Sequence, residues 1–214
     1  MLMMDFSPKN PPCIEWDEPI FFTEVIMAIK IYIDQGHNPM NPNAGAEGNG
    51  YREQDLMYTI GKALEARLDA NPNFEARTSR NSPDEILGTS TATSLAARVN
   101  DANAWGADYF ISLHANASDI TSASGSEAFV YRLESEAESF AESILVGLSE
   151  ATGLANRGVF ARPTLYVLRR TQMPATLLEI GFITNPADAR LMAENPNLIA
   201  TGIYNGILRY FGFS

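Results

Sequence analysis

Short runs of apolar, often β-branched residues alternate with amphipathic segments along most of this 214-residue chain. Six such runs have the composition of strands, at residues 29–34, 74–78, 109–114, 127–133, 165–168 and 175–180. Apolar residues recur at helical spacing in 52–70, 94–105, 136–151, 186–193 and 198–211. Strands that alternate with helices predict an α/β fold, a single domain with a mainly parallel sheet flanked by helices.

Residues 1–28 differ from the rest of the chain, because they contain four prolines and show no sustained periodicity. We interpret 1–28 as a leader or flanking arm and 29–214 as the folded domain. The start of the chain lacks the basic residues, apolar core and cleavage site of a Sec signal. No run approaches the ~20 apolar residues of a transmembrane helix, which predicts that the protein does not insert into a membrane.

Charge and cysteine content exclude two classes of protein. The net charge is −11, whereas a protein that binds nucleic acid through its phosphates needs an excess of Lys and Arg. We therefore expect no nucleic-acid partner. Cys13 is the single cysteine, so the chain can form neither an internal disulfide nor a thiolate metal cluster.

Polar residues gather where three of the predicted strands end. The segment 34–37 follows the first strand, His114 ends another, and Glu179 lies near the end of the last. Ligands of open α/β sheets bind outside the carboxyl ends of the strands. The topology alone therefore predicts a functional site formed by these residues.

The chain has two histidines, His37 and His114, each in a loop-forming sequence after a predicted strand. A catalytic zinc site needs three protein ligands and one open position, and two His with one Glu is a known set. Glu53, at the start of a predicted helix, is the best third ligand, and Glu47 in the same loop is the alternative. Without an HExxH spacing, however, the pattern alone favours structural roles for both histidines and a solvated first-turn acid at Glu53.

Glu179 stands inside the apolar run 175–182. A carboxylate buried in such a strand is costly without a partner, and desolvation raises its pKa towards that of a general base. The alternative is a structural salt bridge to an arginine such as Arg157. We favour the functional interpretation, because strongly perturbed carboxylates cluster at functional sites.

Nine segments, in order, make the chain resemble the zinc-dependent N-acetylmuramoyl-L-alanine amidases of cell division, sporulation and phage lysis, the amidase-3 family. They are IYIDQGHNP (31–39), GAEGNGYRE (45–53), TSR (78–80), LAARVNDAN (95–103), FISLHANA (110–117), GSEAFVY (125–131), NRGVF (156–160), LYVLRR (165–170) and PATLLEIGFITN (174–185). The resemblance extends from about residue 29 to residue 211.

The resemblance implies a twisted, mainly parallel six-stranded sheet and hydrolysis of the amide between the lactyl group of N-acetylmuramic acid and L-alanine in peptidoglycan. It implies one Zn²⁺ per chain, bound by His37, Glu53 and His114, and a catalytic acid/base at Glu179. Two alternatives stay open. One is a zinc peptidase that cuts within the stem peptide, and the other is a non-catalytic wall-binding module of the same fold.

Four further residues are candidates for substrate contact or for support of the ligands. Glu127 is a second acid beside the site or a structural acid, and Arg157 can meet a carboxylate or carbonyl group of the substrate. Asn116 either holds the His114 loop or touches substrate. Asp34 can accept the second N–H of a ligand histidine.

The chain departs from the family at Gln35 and Asn38, where Pro and Gly are usual, and this predicts a differently shaped rim beside His37. The implied partner is peptidoglycan, and we expect the protein to act on the bacterial cell wall as a monomer. That substrate lies outside the cytoplasmic membrane. Because residues 1–28 contain no signal peptide, we expect phage-type release or a signal removed from this sequence.

Overall fold

A six-stranded sheet organises residues 27–213, the part of the chain that the computed structural model describes. The strands are β1 (Ile29–Gln35), β2 (Glu47–Gly48), β3 (Tyr51–Arg52), β4 (Phe74–Thr78), β5 (Tyr109–Asn116), β6 (Ser126–Val130), β7 (Asn156–Ala161) and β8 (Ala175–Phe182). The helices are α1 (Glu53–Asp69), α2 (Thr91–Trp105), α3 (Glu136–Thr152), α4 (Tyr166–Arg170), α5 (Pro186–Glu194) and α6 (Pro196–Phe211). The predicted arm at 1–28 falls outside the described residues except for its last two.

The strand order β4-β1-β5-β8-β6-β7 brings the carboxyl ends of four strands together. Strands β4, β1, β5 and β8 are parallel, whereas β6 runs antiparallel to β8 and pairs in parallel with the edge strand β7. The prediction of a mainly parallel six-stranded sheet flanked by helices is therefore confirmed. Strands β2 and β3 form a separate small hairpin directly before α1.

Both faces of the sheet are covered, which explains why the central strands are apolar almost throughout. In β1, Ile31 and Ile33 join the larger core, on the face packed by α1, α3 and α6. Tyr32 points to the other face, where it stacks on Phe110 of β5 near α2. Side chains of alternate strand residues thus supply two separate cores.

One predicted strand is wrong. The run at 165–168 begins helix α4, whose Val167 and Leu168 are buried, and the sixth strand is β7. β7 was missed because it is a largely exposed edge strand with Asn156, Arg157 and Gly158 in its first half. Among the described residues, no helix combines the length and apolar character needed to cross a membrane.

Candidate metal centre and active site

His37 lies in the loop directly after β1, at the carboxyl edge of the sheet. Its backbone has a φ of 67°, a left-handed conformation that is uncommon for residues other than glycine. Its side chain is 21% exposed, so one side of the imidazole faces solvent. The bend places the ring against His114 of β5, with the two ring centroids 4.8 Å apart in an edge-to-face arrangement.

Glu53 begins α1 directly after the β2–β3 hairpin, and its side chain is 4% exposed. Its Oε2 atom accepts the backbone N–H of Ala46 at 2.9 Å, and its Oε1 atom accepts that of Ala115 at 3.0 Å. These bonds fix the carboxylate between the loop before α1 and the end of β5. The first turn of the helix also favours a negative charge through the helix dipole.

His37, Glu53 and His114 form one group, in which the potential ligand atoms lie within 4.8 Å of one another. The Oε1 atom of Glu53 is 3.2 Å from Nε2 of His37 and 2.9 Å from Nδ1 of His114. Glu47, the alternative ligand, is exposed in β2 and does not belong to this group.

The charges of this group are coupled. Burial by itself raises the pKa of Glu53, but hydrogen bonds from His114 and His37 outweigh it and hold that pKa far below its usual range. Burial lowers the pKa of His114, and the bond to Glu53 more than reverses this, so its pKa is raised. A buried carboxylate facing two imidazoles is thus stabilised by positive charge, which a divalent cation also provides.

Two glycines let the three side chains approach. A Cβ atom on Gly45 would come within 2.8 Å of Oε2 of Glu53 and 2.9 Å of Cδ2 of His37. A Cβ atom on Gly36 would come within 2.7 Å of Cε1 of His114. Real Cβ contacts are almost never this short, so the group depends on glycine at both positions.

Glu179 lies beside the group of His37, Glu53 and His114, on the strand next to β5. It is the pairing partner of His114 between β8 and β5, and of Glu127 between β8 and β6. Directly paired residues present their side chains on the same face of a sheet, so the three form a row across three strands. Burial raises the pKa of Glu179 to about 7; His114 opposes this shift, and the carboxylates of Glu53 and Glu127 add to it.

Glu127 joins the other two candidates for substrate contact. Its Oε1 atom accepts the side-chain amide of Asn116, and its Oε2 atom accepts Nε of Arg157, both at 2.9 Å. The guanidinium of Arg157 also lies 5.1 Å from the centre of the Phe182 ring. Arg157 therefore pairs with Glu127, not with Glu179, and keeps part of its guanidinium open to solvent.

Asp34 lies beneath the group, where its carboxylate accepts Nη1 of Arg98 at 2.6 Å and the hydroxyl of Ser112 at 2.7 Å. Within residues 27–213 these two groups, and no histidine, are its side-chain donors. Arg98 was not predicted from the sequence to be a functional residue. Its spacing was a signal, because an arginine four residues after Ser94 and four before Ala102, both buried, lies on the buried face of α2 and needs polar partners there.

The two departures from the family pattern join this buried network and do not shape an exposed rim. Gln35 accepts the backbone N–H of Arg80 through Oε1 at 2.9 Å. Asn38 accepts Arg98 through Oδ1 at 3.2 Å and donates to the carbonyl of Pro42 at 2.7 Å. Both side chains are fully buried.

Comparison with known proteins gives consistent matches. Residues 31–209 match the family described as N-acetylmuramoyl-L-alanine amidase. The chain is 34% identical over 206 residues to N-acetylmuramoyl-L-alanine amidase LytC of Bacillus subtilis. The aligned region spans 94% of this chain but 39% of that relative. It is 33% identical to the amidase CwlM of Bacillus licheniformis, over 87% of this chain and 70% of that one.

A solved structure shares the fold. The catalytic domain of CwlV, an N-acetylmuramoyl-L-alanine amidase from Bacillus (Paenibacillus) polymyxa var. colistinus, superimposes with a TM-score of 0.75 at 30% identity. The match covers 87% of this chain and 99% of that domain. Family and fold were both predicted from the sequence, and both are confirmed: the chain belongs to the N-acetylmuramoyl-L-alanine amidase family.

Proposed function

We propose that this chain hydrolyses the amide between the lactyl group of N-acetylmuramic acid and the L-alanine of the peptidoglycan stem peptide, with a bound zinc ion. The observation that carries the proposal is the group of His37, Glu53 and His114 with Glu179 paired beside it. Family membership and the amidase activities named for its relatives support the choice of substrate.

The three side chains suit zinc by their chemistry. Two imidazoles and one carboxylate match the His₂Glu set of known zinc hydrolases, in which a fourth position stays open for water or substrate. Both imidazoles are partly exposed, at 21% and 18% for His37 and His114, so the open position can face solvent. Glu53 is buried beside two imidazoles, and a cation there neutralises its charge.

Zinc held by these residues polarises a carbonyl oxygen and lowers the pKa of water towards neutrality. Glu53 holds its position through the backbone bonds from Ala46 and Ala115, and the close approach of the chain at Gly45 lets it pack against His37. Because those contacts exist before substrate arrives, little reorganisation is needed during the reaction.

Glu179 acts as the general base and then as the general acid. Its carboxylate accepts a proton from the attacking water and later delivers that proton to the departing alanine nitrogen, so the amine leaves neutral. A pKa raised by burial to about 7 suits both steps near neutral pH. One carboxylate suffices for both transfers, and the reaction needs no Ser or Cys nucleophile.

Asn116, Glu127 and Arg157 bind substrate beside the reacting amide. Glu127 holds the other two through hydrogen bonds of 2.9 Å, and Phe182 supports the guanidinium from one side. Nη1 of Arg157 also donates to the carbonyl of Ser124 at 3.3 Å, and the N–H groups that are left are placed to meet a carbonyl or carboxylate of the stem peptide. We propose that the protein acts on the cell wall as a monomer.

Product analysis on defined muropeptides tests the proposal. Cleavage of the lactyl amide releases a peptide with a free N-terminal L-alanine and leaves the glycan intact, and mass spectrometry detects both. Products cut within the stem peptide would instead identify a peptidase. Intact muropeptides in the presence of stoichiometric zinc would identify a non-catalytic wall-binding module.

A further inference from the structure

The orientation of the His37 imidazole needs an explanation beyond its own contacts. Ligand histidines are usually held by a hydrogen bond from the ring nitrogen that does not bind metal. Nδ1 of His37 is buried and has no hydrogen-bond partner within residues 27–213. The backbone of His37 is also left-handed, which costs a residue with a Cβ about 1–2 kcal/mol. Some other contact must therefore hold this conformation.

Arg98 of α2 makes that contact. Its Nη2 atom donates to the carbonyl oxygen of His37 at 2.5 Å and to Oδ1 of Asn38 at 3.2 Å. Its Nη1 atom donates to Oδ1 of Asp34 and to the carbonyl of Gln35, both at 2.6 Å. The guanidinium is 1% exposed, so these bonds form away from competing water.

The arrangement uses the shape of a guanidinium as well as its charge. The planar fork presents several N–H groups in fixed directions, and here one nitrogen binds the end of β1 while the other binds the loop that carries His37. An ammonium on a flexible stem can pair with Asp34 but does not reproduce both directions.

We propose that Arg98 is a positioning residue of the metal centre. It anchors the carbonyl of His37 to the end of β1 and thereby holds the left-handed backbone that aims the imidazole at Glu53. Asp34 contributes indirectly, because its carboxylate fixes the guanidinium. The inference rests on the proposed function, since it takes His37 to be a metal ligand.

Arg80 offers a matched comparison. It is the other fully buried arginine of the described chain and is 0% exposed. Its Nη2 atom donates to the carbonyl of Gln54 at 2.7 Å, and its guanidinium lies 5.2 Å from the centre of the Tyr58 ring. Arg80 makes no hydrogen bond to His37, Glu53 or His114. Its bond to α1 goes to the residue after Glu53 and not to a proposed ligand, whereas Arg98 binds the carbonyl of His37 itself. Its replacement therefore disturbs a buried arginine without removing a bond to a proposed ligand.

Metal affinity of the apo-protein tests the inference without reference to turnover. Competition with a chelator gives zinc dissociation constants for the parent, which is the unsubstituted full chain, and for Arg98→Lys and Arg80→Lys. The absorption of their Co²⁺ forms reports ligand geometry. Arg98→Lys should bind zinc about 10–100-fold more weakly, the usual effect of losing a contact that orients a ligand, with altered Co²⁺ bands. Arg80→Lys should lose stability but keep the affinity and bands of the parent.

The outcomes separate the inference from the proposed function. An Arg98→Lys protein with parental affinity and Co²⁺ bands would overturn the inference, and so would an equal loss of affinity in Arg80→Lys. If the parent itself binds neither zinc nor Co²⁺, the proposed metal centre fails, and the role of Arg98 falls with it.

A second variant covers the case in which Arg98→Lys does not fold. The double variant Asp34→Asn/Arg98→Gln removes both buried charges together, so neither is left buried without its partner. Gln is too short to bind the end of β1 and the His37 carbonyl at once. The same loss of zinc affinity and the same change in Co²⁺ bands are expected, and parental values in this folded variant would contradict the inference.

Discussion

Glu179 lies directly opposite His114 in the pairing of β8 with β5, next to the proposed ligands but outside their group. One of its oxygens, Oε2, is buried and has no hydrogen-bond partner among residues 27–213. An unpaired carboxylate oxygen beside a candidate metal site is suited to accept a proton from a water molecule. This placement separates the role of Glu179 from that of Glu53, which is bonded on both oxygens.

Glu179→Gln should keep the fold and bind zinc normally but lose most turnover. The amide preserves the shape of the side chain and removes its ability to carry the proton. General acid–base groups contribute about 10²–10⁴-fold, so kcat should fall by at least that range. Turnover on muropeptides and zinc content per chain, measured on the same preparation, check the prediction.

Glu53→Gln should show the opposite defect. Loss of a charged ligand should weaken zinc affinity, and added zinc should restore part of the turnover. Glu47→Gln, which changes an exposed glutamate nearby, serves as the control and should match the parent. If Glu179→Gln lost zinc while Glu53→Gln kept both metal and activity, the two roles would be reversed.

Gly45→Ala should weaken zinc binding. The added methyl would stand 2.8 Å from Oε2 of Glu53 and 2.9 Å from Cδ2 of His37, so at least one of the two must move. We expect a loss of affinity of about tenfold, the lower end for changes around metal ligands. Chelator competition on the apo-protein gives the value.

Gly50→Ala controls for the general cost of replacing a glycine in this region. Its Cβ would meet open space, but its φ of 83° makes any side chain strained, by about 1–2 kcal/mol. That variant should therefore lose stability and keep its zinc affinity. Equal zinc affinities for the two variants would show that the space at Gly45 is irrelevant to the ligands.

The fold was predictable wherever a strand is bounded by turn-forming sequence. The ends of β4 were predicted to the residue, because Phe74–Thr78 is bounded by turn-forming sequence. Helix α4 was predicted as a strand because a short apolar run does not distinguish strand from helix without its tertiary partners, whereas β7 was missed because it has no sustained apolar run. The apolar run that starts at Leu165, the N-cap residue of α4, continues into that helix. Strand β7 is exposed and carries its apolar residues only in its second half.

The candidate site was predictable for those residues that can be recognised from their type and from their place in a predicted strand or helix. Two histidines, one helix-start glutamate and one glutamate in an apolar strand stand out by residue type and position. The supporting network does not, because Arg98 contacts residues about sixty positions away along the chain, at separations of 60 to 64. Sequence periodicity carries no information about such partners.

Arg157→Ala should raise KM with little effect on zinc content. Its guanidinium is held by Glu127 and Phe182 beside the row that contains Glu179. A hydrogen bond to a charged group contributes about 1.5–3 kcal/mol, so KM should rise about tenfold or more. Arg209→Ala removes a similarly exposed arginine, which pairs with Glu150 between α6 and α3, and should leave KM unchanged. A fall in kcat at unchanged KM would assign Arg157 to the chemical step instead.

Asp34 should make the stability of the metal-free protein sensitive to acid. Burial alone raises the pKa of its carboxyl, but the Arg98 guanidinium and the Ser112 hydroxyl outweigh it and hold that pKa below its usual range. In the unfolded chain the pKa is about 3.9. Because the folded value is lower, the stabilisation is complete above that pH and is lost as the pH falls through the folded pKa.

Asp34→Asn should therefore destabilise the metal-free protein most near neutral pH. It leaves the Arg98 guanidinium buried without its counter-charge, a change that typically costs about 3–5 kcal/mol. Urea unfolding at several pH values should show the gap between variant and parent narrowing as the pH falls below about 4, where the carboxyl of the unfolded parent takes up a proton. The narrowing should continue until the carboxyl of the folded parent is neutral as well. Asp55→Asn breaks an ion pair with Arg52 that is about half exposed, so it should cost less than about 1 kcal/mol at any pH. A gap for Asp34→Asn that stays constant or widens in acid would show that the Asp34 charge does not stabilise the fold.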